Sequence, residues 1–448
     1  MAEKVRIVGA GLVGPLMAIY LARKGFSVAL HERRPDMRKT RISAGRSINL
    51  ALTARGLKAL DEVGLKDAVM KIAIPMKGRM VHDLEGKTNL QPYGQKAGEV
   101  IHALSRGLLN TMLLNAAERH QCVEITFNRC CTHYETDEGV LTFADETTGR
   151  EENVKAPVVI AADGAWSAVR KAMLGRIENF NYSQSFLEFG YKELVIPPAD
   201  DGGFRMEPNA LHIWPRHSYM MIALPNTEGS FTVTLFYPYE GKDSFARLKD
   251  PKAVIEFFRR DFPDAVPHMP DLEKDFLANP TGALVTVKCS PWHAGGKAVL
   301  IGDAAHAIVP FFAQGMNSGF EDCAVLNSLI PERRPDWEAV FKQFTKLRKP
   351  NTDAIADMAV ENFVEMRDSV TDPRFLLRKK VGFELEKRWP DRFIPRYSMV
   401  IFRPDIPYAD ARRRGAAQDR ILDQLCAPIS TPEQVDWAEA ERLLQQIT

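Results

Sequence analysis

The stretch VRIVGAGLVGPLMAIYLARKGFSVALHE, residues 5–32, decides how the chain folds. Residues 5–8 are a β-branched run that stops at Gly9, as a short strand does. The periodic apolar segment from Val13 to Ala22 predicts a helix, Gly25 closes it, and Ser27–Glu32 predicts a second strand. Strand, helix and strand within about 30 residues form a βαβ unit and imply a parallel sheet. Gly9, Gly11 and Gly14 occupy the intervening turn as G-x-G-x-x-G. Gly9 permits the tight turn, Gly11 lets backbone amides approach a pyrophosphate, and Gly14 allows the helix to pack closely on the sheet. Glu32, at the end of the second strand, is placed to accept hydrogen bonds from ribose hydroxyls. The motif reads as a dinucleotide site and does not separate FAD from NAD. An acid at this position argues against a 2′-phosphate, so NADPH is not its natural occupant.

A chain of 448 residues is too long for one small core and predicts two or more merged domains. Hydrophobic content of 45% and charged content of 26% fit an ordinary globular protein. A net charge of +1 gives no support for nucleic acid or an acidic surface as a partner. The six cysteines (122, 130, 131, 289, 323, 426) form no C-x-x-C pair and no metal-like spacing with histidine. They read as reduced thiols of a cytoplasmic protein rather than a disulfide framework. No signal peptide and no membrane-length apolar run is visible.

From about 60 to 120 the sequence predicts helices with loops, GLKALDEVGL and SRGLLNTMLLNAAER among them. Between Phe186 and Tyr239 the segments LEFGYKELVI, LHIWPR, YMMIALP and FTVTLFYP alternate and are separated by Pro, Gly and Asn, which predicts an antiparallel sheet. The expected organisation is an α/β fold. A discontinuous Rossmann-like domain with a parallel sheet (1–180 and 285–330, with 60–105 partly lining a substrate site) carries an antiparallel-sheet domain (181–284) and a helical C-terminal region (331–448).

Two further stretches bear on the cofactor. VVIAADGAWSAVR (158–170) runs a strand into Asp163-Gly164 and a small-residue helix start; a turn and a capped helix explain the Asp-Gly equally well. AVLIGD (298–303) is a strand ending in Asp303, where ribityl or ribose hydroxyls are within reach, and Gly315-Met316-Asn317 opens a helix whose free amides suit the pyrimidine edge of a flavin. Between them, Pro310-Phe311-Phe312 suits an apolar wall, and Ala313 stands where glycine is expected.

An opening GxGxxG, a mid-chain Asp-Gly and a later Gly-Asp at these separations resemble the single-component FAD-dependent aromatic hydroxylases. GRSINLALTARG (45–56), IPMKGRMVHDLEGK (74–87), MEPNALHIWPR (206–216), FTVTLFYP (231–238), GDAAHAIVPFFAQGMNSGFED (302–322) and FIPRYSMVIF (393–402) resemble, more narrowly, the kynurenine 3-monooxygenase family. The polar ending VDWAEAERLLQQIT departs from the eukaryotic members, which add a hydrophobic membrane anchor, and matches the soluble bacterial type.

The resemblance implies FAD as cofactor, NADPH and O₂ as co-substrates, and L-kynurenine hydroxylated to 3-hydroxykynurenine through a C4a-hydroperoxyflavin. For FAD it implies Gly9, Gly11, Val13, Gly14, Glu32, Arg33, Ala51, Arg106, Asp163, Asp303, Gly315, Met316 and Asn317. For the substrate's amino-acid carboxylate it implies Arg79, Tyr93 and Tyr397, with Asn362 nearby; a guanidinium fork and two phenols suit a carboxylate. Leu211, Ile222, Phe236, Pro310 and Phe311 are implied for the aromatic ring. No residue is assigned as acid or base, because the anilinic nitrogen already activates the ring; His306 reads as a packed or capping side chain. A hydroxylase of another aromatic acid, such as a salicylate- or hydroxybenzoate-like substrate, and a flavin-binding protein without oxygenase activity remain the alternatives.

Overall fold

The computed structural model describes residues 4–39, 49–96, 98–332, 334–369 and 372–445, so positions 45–48 of the GRSINLALTARG stretch and 446–448 of the polar ending lie outside the described residues. The chain divides into two compact units, residues 1–73, 104–187 and 284–356 in the first, and 74–103, 188–283 and 357–448 in the second.

In the first unit, strand Lys4–Val8 pairs in parallel with Ser27–His31 on one side and Val158–Ala161 on the other. Val123–Thr126 extends the sheet beyond Ser27–His31, and Ala298–Leu300 extends it beyond Val158–Ala161. Val158–Ala161 and Ala298–Leu300 are buried throughout, as strands covered on both faces must be. Helix Val13–Arg23 is buried from Gly14 to Ala22, so its apolar residues surround it instead of forming one stripe. Leu16, Val28, Leu113, Ile160, Val299 and Phe320 share one core with it. A three-stranded antiparallel sheet, Arg129–Glu135, Val140–Asp145 and Glu151–Lys155, completes the unit.

In the second unit, Met220–Pro225 pairs antiparallel with both Leu211–Pro215 and Phe231–Pro238, as the alternating segments predict. The helical reading of 60–120 fails in its middle. Ile74–Met76, Gly78–His82, Thr88–Pro92 and Ile101–Ser105 are strands. Gly78–His82 and Thr88–Pro92 form a hairpin whose turn carries Gly86 at φ +79°, with Asp83 Oδ1 accepting from Glu85 and Lys87 amides. That turn chemistry, not apolar period, governs the segment. Gly78–His82 then pairs in parallel with Leu211–Pro215, aligning Arg79 with Leu211. One face of the sheet packs Trp214, Met221, Val233, Leu235 and Tyr237 against helices Pro251–Asp261 and Leu272–Ala278. The C-terminal helices Pro373–Arg388, Tyr408–Cys426 and Trp437–Leu444 build a separate small core around Val381, Ile421 and Leu443. No helix among the described residues is long and apolar enough to cross a membrane.

Candidate functional site

In the first unit the glycines of the opening turn differ in what they tolerate. A Cβ at Gly9, where φ is +97°, would stand 2.4 Å from the Ala162 carbonyl oxygen, and one at Gly14 would stand 2.0 Å from the Gly9 oxygen. A Cβ at Gly11 would meet nothing within 4 Å. Packing therefore requires Gly9 and Gly14, whereas at Gly11 the free space fits a close-approaching phosphate. Helix Val13–Arg23 starts without a side-chain cap, leaving its first amides to face that space. Asn110 holds the turn from behind, its Nδ2 donating to the carbonyls of Ala10 (3.1 Å) and Gly11 (2.8 Å). Sequence reasoning missed it, since a lone Asn in an apolar helix carries no motif.

Glu32 is buried, and its carboxylate accepts from the Ala10 amide at 2.7 Å and from Arg34 N and Nε at 3.0 and 2.8 Å. Burial would raise this carboxyl, but the Arg34 and Ala10 bonds outweigh it and hold the group below its ordinary range. About three of its four acceptor positions are thereby taken, and the rest is what a ribose would share. Arg33 and Arg106 are exposed, Arg106 opening helix Arg106–Glu118, while Ala51 is buried on strand Asn49–Leu52.

Asp163 caps the helix that follows it, Oδ2 accepting from the Ala168 amide at 2.9 Å. Its Oδ1 is buried with no partner among the described residues, and burial pushes its carboxyl up. The capped-helix explanation thus accounts for one oxygen and leaves the other for a donor from outside the protein. Thr53 Oγ1 is a second such orphan. Arg170, also buried, ties the segment to the 303–306 turn by donating to the Ala304 carbonyl at 2.7 Å and to that of Ala165.

Gly302 adopts φ +57°, and Asp303 begins a one-turn helix with its side chain exposed. Helix Gly315–Leu329 starts without a side-chain cap, so the amides of Gly315, Met316 and Asn317 are available to an electron-rich group. The Asn317 side chain is occupied: it accepts from Thr53 N at 3.0 Å and donates to Ala51 O at 2.9 Å and Ala313 O at 2.7 Å. Val13 packs where a Cβ on Gly302 or Gly319 would stand, at 3.1 and 2.7 Å. Phe311 and Phe312 are buried and Pro310 is exposed in a 3₁₀ turn ended by Ala313 in the left-handed region at φ +55°. His306 meets Asp322 rather than its neighbour Asp303. These free amides, the orphaned Asp163 oxygen and the open space at Gly11 fit a flavin dinucleotide.

In the second unit the strand register gathers the predicted substrate residues. Arg79 aligns with Leu211, Ile213 with Ile222, and Ile222 with Thr234, two residues from Phe236. In-register partners share a face, so Arg79, Leu211, Ile222 and Phe236 line the side opposite the Trp214 core. Arg79 is 6% exposed. Its guanidinium lies 5.0 Å from the Tyr397 ring centre and 5.9 Å from that of Tyr93, and the two rings stack 5.6 Å apart. Burial disfavours the Arg79 charge, but Tyr397, Glu365 and Tyr93 overcome it and keep the group cationic. Burial pushes the Tyr397 phenol up to about 12 and the Tyr93 phenol higher, so both remain donors. Asn362 is buried with Nδ2 3.3 Å from Met366 Sδ, just before a π-helical turn at Glu365–Ser369.

Two charges here escaped the sequence reading. Glu365 Oε1 lies 3.6 Å from Arg79 Nη1. Burial, then repulsion from Arg79, lowers the Lys379 ammonium to about 8 against the pull of Glu365. On the opposite sheet face His82 bridges Asp264 (2.6 Å) and His212 (2.8 Å), a hydrogen-bonded chain that no motif announced. All residues expected to hold FAD, with Pro310 and Phe311, belong to the first unit; the carboxylate group and Leu211, Ile222 and Phe236 belong to the second.

Residues 2–332 match the family model described as FAD binding domain. The chain is 51% identical over 443 residues to kynurenine 3-monooxygenase of Myxococcus xanthus, covering 99% of this chain and 95% of that protein. It is 47% identical to the Stenotrophomonas maltophilia enzyme of the same name (98% and 96% covered) and 43% to that of Dictyostelium discoideum (99% and 98%). Among solved structures, 2-methyl-3-hydroxypyridine-5-carboxylic acid oxygenase superposes with a TM-score of 0.67 at 22% identity, covering 84% of this chain and 95% of that one. PqsL of Pseudomonas aeruginosa gives 0.64 at 18% identity, covering 82% and 100%; both similarities speak for the fold. An FAD-binding domain over most of the chain, and near-complete coverage at these identities, make this chain a member of the kynurenine 3-monooxygenase family of FAD-dependent hydroxylases.

Proposed function

We infer that this protein hydroxylates L-kynurenine to 3-hydroxykynurenine, using FAD and consuming NADPH and O₂. The balance is L-kynurenine, NADPH, H⁺ and O₂ giving 3-hydroxykynurenine, NADP⁺ and water. The observation that carries the reading is the buried Arg79 guanidinium beside two stacked tyrosine rings, on the same sheet face as Leu211, Ile222 and Phe236. A cation buried beside phenols is suited to an amino-acid carboxylate, and the apolar residues on its sheet face to an aryl ring.

When bound, FAD would supply the activation of O₂, with NADPH as the source of electrons. The remaining work falls to the chain. Arg79 takes the carboxylate with its fork, and the Tyr93 and Tyr397 hydroxyls complete the acceptor positions. Glu365 stands where the substrate's ammonium can replace part of the Arg79 contact. Leu211, Ile222 and Phe236 orient the ring and keep water from it. Around FAD, the Gly9–Gly14 turn, Arg33, Arg106, Asp163, Asp303 and the amides of Gly315–Asn317 hold the cofactor, while Glu32 shares its last acceptor position with the ribose. No side chain is required as a base, because the aromatic amine donates electrons to the carbon that is attacked. The six unpaired cysteines support a cytoplasmic location.

The test is product analysis with L-kynurenine beside a panel of phenolic acids. Formation of 3-hydroxykynurenine supports the reading; turnover of a phenolic acid alone, or none with a normal flavin spectrum, replaces it with one of the alternatives.

A further inference from the structure

A carboxylate with no exposed surface lies against the Gly302–Asp303 turn, and no motif assigns it a task. Asp322 Oδ2 accepts from the Gly302 amide at 2.9 Å and from His306 Nε2 at 2.5 Å, and Oδ1 accepts from Arg348 Nε at 2.7 Å. Since the carboxylate only accepts, the His306 proton belongs on Nε2. Arg348 also donates to the Ser318 carbonyl at 3.2 Å, in the first turn of helix Gly315–Leu329, and to Glu321. Glu321 in turn takes Arg55 at 2.6 Å. Two acids and two arginines are therefore matched within a nearly water-free cluster, where loss of one partner strands another.

The backbone explains why such a lock is needed. Gly302 sits at φ +57°, ψ −142°, one of many conformations open to glycine, so hydrogen bonds and not a side chain of its own must select it. Asp322 supplies the bond on its amide, and the Gly302 carbonyl is fixed by the His306 amide at 2.9 Å. One carboxylate thus braces the turn that presents Asp303, and through Arg348 it braces the start of the helix that presents Gly315–Asn317. Burial would raise this carboxyl, but the bonds from His306 and Arg348 outweigh it and hold the group below its ordinary range, so Asp322 is ionised.

We propose that Asp322, oriented by His306 and Arg348, is the positioning residue for both segments and thereby sets FAD affinity and the potential of the bound flavin. The proposal rests on Asp303 and Gly315–Asn317 holding FAD. Losing the His306 donor leaves Asp322 Oδ2 one bond short and lets the turn and the helix start relax, so the flavin is held more weakly and, with the Gly315–Asn317 amides less well placed, its reduction becomes harder.

The test compares His306→Leu, which removes the donor, with His306→Gln, whose amide N–H can replace Nε2–H, and with Asp303→Ala. Apoprotein is reconstituted with FAD, and the FAD dissociation constant, the flavin midpoint potential and the apoprotein melting temperature are measured. His306→Leu is expected to raise the dissociation constant about tenfold, as loss of a charge-assisted hydrogen bond does, and to shift the potential negatively. His306→Gln should stay within about threefold of wild type on that same scale. If His306→Leu does not fold, Asp322→Asn carries the same expectation. Unchanged affinity and potential in folded His306→Leu, with weakened binding in Asp303→Ala, overturn the proposal and leave the cofactor site standing. Unchanged affinity in Asp303→Ala overturns the site reading for this turn and the proposal with it.

Discussion

Replacing Arg79 by methionine removes the substrate's proposed counter-charge while keeping an unbranched apolar stem beside Tyr93 and Tyr397. A charge-assisted hydrogen bond contributes about 1.5–3 kcal/mol, and a fork makes two. Against this, Arg79 is 6% exposed and already pairs with Glu365 at 3.6 Å, so part of the gain is spent on separating that contact. A net loss of about 3–4 kcal/mol follows, or a dissociation constant raised roughly 10²- to 10³-fold. Fold stability should change little by comparison, because Glu365 is 29% exposed and water can take over its charge. The assay is kynurenine-stimulated NADPH oxidation with KM and kcat resolved, beside flavin content and a titration of the flavin spectrum with kynurenine. Flavin content should stay at the wild-type level, since every residue assigned to FAD lies in the other unit. A dissociation constant within threefold of wild type, or loss of flavin, would refute the assignment of Arg79.

Gly11→Val should yield apoprotein of near-normal melting temperature that retains no FAD, because the added Cβ meets no protein atom within 4 Å; a normal flavin spectrum would falsify the pyrophosphate reading. Lys379, lowered to about 8, should be charged below that pH and neutral above it, so kynurenine affinity should fall between about pH 8 and 9 and Lys379→Met should flatten that fall. For folding the sign is opposite: the fold disfavours the ammonium, so that penalty is full below pH 8 and is relieved as pH rises from there towards the unfolded value of about 10.4. Urea titrations of wild type and Lys379→Met over that range check it, and a parallel pH response in the two proteins would contradict it. Ala313, at φ +55°, carries about 1 kcal/mol of left-handed strain. Ala313→Gly should therefore be neutral to stabilising by up to about 1 kcal/mol in urea unfolding, and Ala313→Val clearly destabilising; the reverse order would show that the turn is not strained.

The parallel sheet and its first turn were legible because local rules act there without competition. Gly9 and Gly14 are dictated by backbone approaches of 2.4 and 2.0 Å, which no other residue permits. The antiparallel strands were legible from their alternation, and the register then put Leu211 beside Arg79 and Ile222 and Phe236 on the same sheet face. Residues 74–105 were misread as helix and loop because short strands in a hairpin are specified by the Asp83–Lys87 turn and by pairing to Leu211–Pro215, a partner over a hundred residues away. Asn110, Asp322 and Arg348 act through bonds to distant backbone, and a single polar residue in a helical stretch gives no hint of that. Glu365 and Lys379 were missed for a further reason. A π-helical turn shifts the phase of residues 365–369, so helical spacing counted from Asn362 does not tell which side chains meet Arg79.

The proposed reaction joins one oxygen atom of O₂ to one ring carbon of the substrate. Incubation of the FAD-loaded protein with L-kynurenine, NADPH and ¹⁸O₂, followed by mass and NMR analysis of the product, tests it most directly. The expected product is 3-hydroxykynurenine carrying one ¹⁸O at the carbon ortho to the amine, formed in step with NADPH consumed. Hydroxylation at another carbon, ¹⁶O at the new hydroxyl, or NADPH oxidation that yields peroxide alone with every substrate offered would contradict it.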